Sequence, residues 1–278
     1  MIRISIRTIL ILIIGLFPNI SLLKADEDNK AAPVGSAVPN DYVLPEKRQG
    51  AEFKLDIGGR QELVFVWIDA LKMWVGKFEV SNGQYKQYNS TERSQHFYKK
   101  NINYERQPAV NVSWFDAVNF CSWLNRRFSV QLESGFGFRL PSESEWEIFA
   151  SCGDERVFPW GSEWPPPDKY NYRGEEGTGF LFRLFEHDDI IKGHRDDFIV
   201  GAPIDQSGEN DWGLFGVAGN VWEWCSDVFS DEFDQRVLKG GAWNTSRPEN
   251  MKVKSKAGTP AEWKNAMIGF RVVLAPAH

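Results

Sequence analysis

Oxygen-bearing side chains in a glycine-containing loop offer the clearest chemistry in the sequence. Asn220 and Glu223 are three residues apart and follow Gly219, where a tight turn would expose backbone carbonyls. Calcium takes about six to eight oxygen ligands from carboxylates, amides and carbonyls, usually in loops. The segment 219–223 is therefore a candidate calcium site. The alternative is that Asn220 and Glu223 only cap and hydrogen-bond the loop.

Histidine is scarce and gives one further cluster of candidate ligands. His187 and His194 lie in a segment that also holds aspartates at 188, 189, 196 and 197. A transition-metal site is one interpretation of this segment, and a solvated acidic loop is the simpler one. The sequence has no nucleophile elbow, phosphate-binding loop, dinucleotide fingerprint, His-Glu-x-x-His or Cys-x-x-Cys motif. The common catalytic signatures therefore do not explain what the protein does.

The net charge argues against nucleic acid as the main partner. The 278 residues include 32 Lys and Arg against 38 Asp and Glu, a formal net charge of −6, whereas phosphate binding needs a basic surface. The 3 cysteines allow at most one internal disulfide, so a disulfide framework does not hold the fold together. The 12 Trp and 24 Gly indicate a loop-rich fold whose loops are connected by aromatic side chains.

The N-terminus is typical of an export signal. Arg3 and Arg7 precede an apolar segment over 8–23, and Ala25 is a small residue at a suitable cleavage point. We predict a signal peptide over 1–25, cleaved after Ala25, and export to the periplasm or the extracellular space. The alternative is an uncleaved anchor, in which case the membrane would also be a partner. Residues 26–50 mix Ala, Pro, Gly, Ser and charge, which predicts a flexible linker before a single domain over 51–278.

Local patterns predict an α+β domain with a large proportion of loop. Apolar runs predict strands over 62–68, 73–80, 236–243 and 269–274. Serines that suit an N-cap predict three helices, starting after Ser81, Ser113 and Ser142.

Two further stretches carry predictions of their own. Between 152 and 221, Gly, Pro and Asp recur every few residues without a helical period. A long irregular stretch inside a compact domain usually depends on metal ions or carries function. Further along, lysines at 252, 254 and 256 alternate with Val253 and Ser255, which predicts the solvated face of an edge strand.

Seven motifs follow one another in a specific order. They are MWVGKFEVSNGQY (73–85), QPAVNVSWFDA (107–117), FRLPSESEWE (138–147), FPWG (158–161), GLFGVAGNVWEW (213–224), KGGAW (239–243) and IGFR (268–271). In this order they resemble the formylglycine-generating enzyme, or sulfatase-modifying factor, family over about residues 60–275. Single motifs such as Gly-Gly-Ala-Trp are common, whereas all of them in register are specific.

The resemblance implies a loop-rich formylglycine-generating-enzyme fold, related to C-type lectins, with structural calcium at two positions. The first position is similar to Asn171, Tyr172, Asp196 and Phe198, and the second to Gly219, Asn220, Val221 and Glu223. Members of the family differ in function. Some oxidise a sulfatase cysteine to formylglycine with a copper ion held by two cysteines, whereas others are pseudo-enzymes or maturation factors.

The two copper-binding cysteines of the oxidising members have no counterpart here. Alignment on Gly-Gly-Ala-Trp places Thr245 and Asn250 at their positions. A hydroxyl and a neutral amide do not bind Cu(I) as thiolates do, so we expect no copper. Cys121 and Cys152 resemble the family's structural cysteines, but their usual partners are missing. We predict that both are buried free thiols; the alternative is a bridge between them.

The resemblance also places a substrate groove beside the same Gly-Gly segment. Its predicted lining is Trp243, Asn244, Thr245, Ser246, Arg247 and Asn250. Aromatic and amide groups of this kind suit an extended peptide or a glycan. The alternative for Trp243 is a place in the core.

Two functional hypotheses follow from the sequence. The first is an exported, non-catalytic peptide- or glycan-binding or maturation factor without copper-dependent formylglycine generation. The second is an enzyme of the same fold that carries out oxidative maturation of a peptide or small molecule with non-cysteine residues. The missing cysteine pair and the scarcity of histidine favour the first. The insertion over 175–195, which contains His and Asp, keeps the second open.

Overall fold

The structure, a computed structural model, describes residues 45–91, 94, 96–97, 99–128, 134–177 and 190–276. The predicted signal peptide, the predicted linker up to residue 44 and His187 lie outside these ranges. Within them the chain forms three α-helices, α1 (Asn82–Tyr88), α2 (Trp114–Phe128) and α3 (Glu143–Ala150). None of these helices is long and apolar enough to cross a membrane.

Eleven strands of the described residues form three sheets. They are β1 (Glu52–Gly58), β2 (Gln61–Ile68), β3 (Met73–Gly76), β4 (His96–Phe97), β5 (Lys100–Asn101), β6 (Phe136–Arg139), β7 (Trp222–Ser230), β8 (Gln235–Lys239), β9 (Ala257–Pro260), β10 (Ile268–Gly269) and β11 (Val273–Pro276). This is the α+β class with short elements that the sequence predicts.

The largest sheet joins the beginning of the domain to its end. Its order is β1-β2-β3-β11-β6, and all neighbouring strands are antiparallel. Val273 of β11 pairs with Val75 on one side and with Arg139 on the other. Aromatic side chains pack on this sheet, where the rings of Phe53 and Phe65 stack with centroids 4.8 Å apart. The strand order therefore depends on contacts between distant parts of the chain.

The second sheet has the order β10-β7-β8-β9 and follows the long loops. β7 and β8 form an antiparallel hairpin, and β10 pairs with β7 in parallel. A core cluster between α3 and the sheets includes Val66, Trp146, Cys225 and Val273, each at most 1% exposed. This core fixes the start of β7, which contains the end of the predicted calcium segment 219–223.

The predicted helix starts are confirmed by their hydrogen bonds. Each cap is a reciprocal pair of bonds between a serine and the residue three positions later: Ser81 and Gln84 at α1, Ser113 and Asp116 at α2, and Ser142 and Glu145 at α3. Such pairs satisfy backbone N–H groups that the first turn of a helix leaves without partners. The local sequence is sufficient to set these three starts.

Four predicted strands differ from the structure. The strand predicted over 236–243 ends at Lys239, and the strand predicted over 269–274 is divided between β10, which ends at Gly269, and β11, which starts at Val273. The strand predicted over 73–80 ends at Gly76, because the chain then leaves the sheet and the Val80 N–H donates to the Phe270 carbonyl at 2.9 Å. The lysines at 252, 254 and 256 lie in turns and coil, and the edge strand β9 starts only at Ala257. The stretch over 152–221 is irregular as predicted, since its described residues contain no α-helix or strand.

Residues 45–50, at the end of the predicted linker, lie against β2. The Gly50 N–H donates to the Trp67 carbonyl at 3.1 Å, and the Asp69 N–H donates to Gln49 Oε1 at 2.9 Å. The Lys47 ammonium lies 5.2 Å from the centroid of the Trp67 ring. Residues 45–50 are therefore part of the folded domain, which starts before the predicted boundary at residue 51.

Candidate functional site

The four residues at the predicted first calcium position lie together in two loop segments. The N–H groups of Tyr172 and Phe198 donate to the two carboxylate oxygens of Asp196, each at 2.8 Å. Asn171 is fully buried, and its Oδ1 has no hydrogen-bond partner among the described residues. Buried polar atoms normally have a partner. A lone amide oxygen near a buried carboxylate fits a hard cation such as Ca²⁺, so these residues are compatible with calcium.

The segment 219–223 is held in place by its own hydrogen bonds. Asn220 Oδ1 accepts from the Ala202 N–H at 2.8 Å and from Asn171 Nδ2 at 3.1 Å, and Asn220 Nδ2 donates to Glu79 at 2.8 Å. Gly219 has a φ of 83°, and a side chain there would lie 2.2 Å from the Asn171 carbonyl oxygen. This position therefore requires glycine. Through Asn171 and Asn220 the two predicted calcium positions share one network.

The carboxylate of Glu223 forms a buried ion pair with an arginine. Its oxygens accept from Arg271 Nη2 at 2.5 Å and Nε at 2.7 Å, and Oε2 also accepts from Trp146 Nε1 at 2.9 Å. Arg271 donates in addition to the carbonyls of Gly76 at 2.9 Å and Phe215 at 2.7 Å. Both side chains of the ion pair are fully buried. The residues at the second position do not fit calcium, because a buried, positively charged guanidinium already contacts both oxygens of the carboxylate.

A second buried carboxylate lies beside this pair. Glu79 is 1% exposed and packs on Gly216; its Oε1 accepts from Asn220, and its Oε2 has no partner among the described residues. Burial, opposed by the charge of Arg271 and reinforced by that of Glu223, raises the pKa of Glu79 to about 7. Sequence reasoning missed Glu79 and Arg271 as site residues, although both lie inside motifs that carry the resemblance.

The histidine cluster has one described member. His194 is fully buried; its Nδ1 is 3.1 Å from the Pro166 carbonyl oxygen and its Nε2 is 3.6 Å from Asp196 Oδ2. Burial lowers the pKa of His194, but the negative charge of Asp196 and the contact with the Pro166 carbonyl outweigh this effect and raise it. In the described ranges, no group of three or more His, Cys, Asp or Glu side chains could hold a metal ion. His187 and the aspartates at 188 and 189 lie outside those ranges.

The two positions that match the copper cysteines belong to a turn after the Gly-Gly pair. Thr245 is 8% exposed, and its hydroxyl accepts from the Ala242 N–H at 3.0 Å. Its own N–H donates to the Ala242 carbonyl at 2.8 Å. Asn250 is exposed at the end of the 3₁₀ turn Pro248–Asn250. Thr245 is thus part of the turn, and neither residue offers sulfur.

The three cysteines are unpaired and lie apart in the sequence. Cys121 in α2 and Cys225 in β7 are buried, and Cys152, just after α3, is partly exposed. Both thiols are free, with no bridge between Cys121 and Cys152, as predicted; the prediction of burial is confirmed for Cys121 and wrong for Cys152. Burial raises the pKa of the Cys121 thiol to about 12 and also raises the pKa values of Cys152 and Cys225. None is an activated thiolate.

The predicted groove residues divide into buried and accessible ones. Trp243 is 1% exposed and packs edge-on against Phe97, with ring centroids 5.0 Å apart, which is the core alternative for this residue. Arg247 and Asn250 are exposed, whereas Asn244 and Ser246 are partly exposed. The turn therefore presents polar side chains to solvent but no aromatic ring.

Two other tryptophans offer accessible aromatic rings, and one of them, Trp160, contacts a tyrosine that lies against Gly241. Trp164 is 43% exposed, and the partly exposed Trp160 stacks on Phe158 with centroids 4.8 Å apart. Trp160 also packs against Tyr172 at 5.8 Å, and a side chain on Gly241 would lie 3.2 Å from the Tyr172 ring. We call Trp160 and Trp164 the tryptophan surface. The FPWG motif signalled Trp160, but nothing in the sequence showed that it lies beside the Gly-Gly turn.

Fold and loops together define a C-type-lectin-related domain of the formylglycine-generating-enzyme type. Residues 57–276 match the sulfatase-modifying factor enzyme 1-like domain, and the chain belongs to this family. It is 30% identical to the formylglycine-generating enzyme of Thermomonospora curvata over 190 residues, which are 61% of this chain and 56% of that protein. It is also 30% identical to the inactive C-alpha-formylglycine-generating enzyme 2 of Bos taurus over 171 residues, 59% of this chain and 49% of that protein. The chain spans about half the length of these relatives.

Solved structures agree with this assignment at the level of the fold. The Treponema denticola variable protein 1 has a TM-score of 0.60 at 18% identity, covering 81% of this chain and 99% of its own. PvdO from Pseudomonas aeruginosa has a TM-score of 0.54 at 18% identity, covering 81% of this chain and 91% of its own. The predicted fold is confirmed, whereas these identities say nothing about activity.

Proposed function

We propose that the protein is an exported, non-catalytic binding or maturation factor that does not generate formylglycine with copper. The observation that carries this proposal is the turn after Gly241. The Thr245 hydroxyl caps that turn at 3.0 Å from the Ala242 N–H, where the family's oxidising members have a copper-binding cysteine. Soft thiolates select Cu(I), and a hydroxyl or an amide does not replace them.

The other cysteines do not compensate for this loss. Cys225 is fully buried in β7, and Cys121 is buried on the inner face of α2. A thiol whose pKa is raised by burial is a poor metal ligand and a poor nucleophile at neutral pH. The inactive C-alpha-formylglycine-generating enzyme 2 of Bos taurus supports the proposal, since by its name it is a relative without this activity.

One structural calcium ion is part of the proposal. Asn171, Tyr172, Asp196 and Phe198 would hold it at the first position, where the lone Oδ1 of Asn171 supports a cation. When bound, calcium supplies positive charge between two loop segments. Asn171 and Asp196 fix those segments by their hydrogen bonds to Val200 and Phe198, at 3.0 and 2.8 Å.

The ligand that we propose is an extended peptide or a glycan bound at the tryptophan surface. Trp164 and the partly exposed Trp160 offer apolar stacking area, and the exposed Arg247 and Asn250 in the turn after Gly241 offer hydrogen-bond donors. Aromatic rings beside amide and charged groups suit both kinds of ligand. A net charge of −6 disfavours nucleic acid.

The catalytic part of the proposal is tested by mass spectrometry. The purified chain, loaded with copper, is incubated with a peptide that carries the sulfatase cysteine motif, beside the Thermomonospora curvata enzyme as a positive control. We expect the peptide cysteine to remain unchanged. Conversion to the aldehyde at a catalytic rate would overturn the proposal. A double variant, Thr245→Cys with Asn250→Cys, is expected to gain Cu(I) affinity if only the ligands have been lost.

The binding part is tested on peptide and glycan arrays, which distinguish the two ligand classes. For any ligand found, Trp164→Ala is expected to weaken binding by about tenfold, the loss of roughly 1.4 kcal/mol of stacking. Trp263→Ala is the matched control, because Trp263 is also 43% exposed but lies after β9. Equal effects of the two variants, or no binding on either array, would contradict the proposed surface.

A further inference from the structure

We propose that the guanidinium of Arg271 provides the positive charge at the second calcium position, so that this chain binds no calcium through Glu223. The inference concerns the second position only and does not depend on calcium at the first. It is drawn from how the oxygens of Glu223 and Asn220 are already used.

The Glu223 carboxylate cannot serve a metal ion and Arg271 together. A calcium ion would lie about 2.4 Å from a carboxylate oxygen. The same two oxygens already receive the Arg271 nitrogens at 2.5 and 2.7 Å. Both side chains have zero exposure, so repulsion between ion and guanidinium would be weakly screened. One of the two cations must be absent.

Arg271 is fixed by contacts other than Glu223. It donates to the carbonyls of Gly76 and Phe215 at 2.9 and 2.7 Å, and its guanidinium lies 5.7 Å from the Phe149 ring centroid. Moving it aside would leave two carbonyls without a donor and a buried cation without its partner. Each of these losses is strongly unfavourable. The Arg271 guanidinium is therefore the cation that pairs with Glu223, and calcium is the cation that is excluded.

The side-chain amide of Asn220 is also fully hydrogen-bonded. Its oxygen accepts two hydrogen bonds, from the Ala202 N–H at 2.8 Å and Asn171 Nδ2 at 3.1 Å. Both lone pairs of the oxygen are used. Asn220 thus provides no oxygen for calcium without losing one of these bonds, and both oxygens of Glu223 are in contact with the Arg271 guanidinium.

Glu79 does not provide an alternative site for a calcium ion. The cavity lined by Glu79 has a volume of about 10 Å³, and most of its other walls are apolar: Leu63, Val64, Phe65, Phe78, Val80 and Val272. A space of this size holds about one water molecule. A calcium ion with about six to eight oxygen ligands does not fit there.

The test is the calcium stoichiometry of the full chain after treatment with a chelator, measured by titration calorimetry and by metal analysis after dialysis. We expect at most one calcium ion per chain. Two ions per chain in the wild-type protein would overturn the inference. No calcium at all would support it and would contradict calcium at the first position, so the two proposals fail separately.

Two matched variants assign the ion that is bound. Glu223→Gln is expected to leave the calcium dissociation constant unchanged within twofold, whereas Asp196→Asn is expected to weaken it by tenfold or more. Loss of an ion in Glu223→Gln would overturn the inference. If Glu223→Gln does not fold, Trp146→Phe with Tb³⁺ in place of calcium serves instead. Trp146 Nε1 lies 2.9 Å from Glu223 Oε2, so an ion at Glu223 would lose sensitised emission in that variant. We expect equal emission from the variant and the wild-type protein, and weaker emission from the variant would overturn the inference.

Discussion

At the residue scale, buried charges in this domain are balanced by partners from distant parts of the chain. Glu223 and Arg271 are 48 positions apart, and Asn220 and Glu79 are 141 positions apart. Removing one partner of such a buried ion pair costs about 3–5 kcal/mol, because the other charge stays buried. Glu79 differs from Glu223, since a neutral amide donates to it in place of a guanidinium.

Glu79→Gln is expected to remove a pH dependence of stability. The pKa of Glu79 is about 7 in the folded chain against an ordinary value of 4.5, so the folded state binds more protons between these values. The contribution of Glu79 to the free energy of unfolding is therefore largest below pH 4.5. It falls by at most about 3 kcal/mol as the pH rises to about 7. Glutamine keeps an acceptor for Asn220 and carries no charge. Urea unfolding of both proteins in chelator between pH 5 and 8 measures the difference.

Glu249→Gln is the control for this experiment, because its side chain is exposed in the turn Pro248–Asn250. That variant should keep the wild-type slope. If the wild-type protein instead gains stability between pH 5 and 7 relative to Glu79→Gln, Glu79 is ionised in the folded chain and the assignment of its charge is wrong.

The sequence predicts individual residues only where the chemistry is local. The loss of thiolates at Thr245 and Asn250 follows from the side chains themselves. The roles of Glu79 and Arg271 depend on a contact between segments that are far apart, and no periodicity or spacing encodes such a contact. Trp243 shows the same limit, because an aromatic residue after Gly-Gly fits a groove and a core equally well until Phe97 is placed against it.

At the element scale, local hydrogen bonding decides what could be predicted. The three serine caps were predictable because both partners lie within one turn of helix. The end of β3 was not, because it depends on Gly76, whose N–H donates to the Val272 carbonyl at 2.9 Å. The lysine segment before β9 shows the correct alternation of exposure around the buried Val253, but in a turn held by the Val157 carbonyl at 2.9 Å.

Ser142→Ala is expected to destabilise the domain by about 1 kcal/mol, as for other lost N-caps. The Ser142 hydroxyl accepts from the Glu145 N–H at 3.2 Å, and the Glu145 carboxylate is shared with the Ser142 N–H and Arg139. The variant should lower the melting temperature by about 2–4 °C in a domain of this size. Ser162→Ala, in an exposed loop, should leave it unchanged. Equal melting of all three proteins would show that the cap does not contribute.

At the scale of the whole molecule, the domain is closed by contacts between its two ends. β11 lies between β3 and β6, and residues 45–50 cover β2 in the same sheet. The strands of this sheet pair with partners that are far apart in the sequence. For this reason the order of the strands could not be derived from local patterns. The family resemblance predicted the class of fold instead, because seven motifs in register are specific to one family.

A chain that starts at residue 51 is expected to be less stable than one that starts at residue 45. The shorter chain loses the hydrogen bonds of Gly50 and Gln49 at 3.1 and 2.9 Å, and the Lys47 ammonium 5.2 Å from the Trp67 ring centroid and 4.7 Å from that of Phe136. Hydrogen bonds contribute about 1 kcal/mol each and cation–π contacts about 0.5–1 kcal/mol each, so the two of each kind amount to about 3–4 kcal/mol. The melting temperature should fall by roughly 6–16 °C.

Chains that start at residues 26 and 45 provide the control for this truncation. They should melt at the same temperature, since the predicted linker over 26–44 is expected to contribute no packing. Lys47→Ala in the longer chain should reproduce part of the loss, because it removes the ammonium from two aromatic rings and keeps the backbone hydrogen bonds. Identical melting of the chains from 45 and 51 would mean that the contacts of residues 45–50 add no net stability and that the linker extends to residue 50, as the composition of the segment predicts.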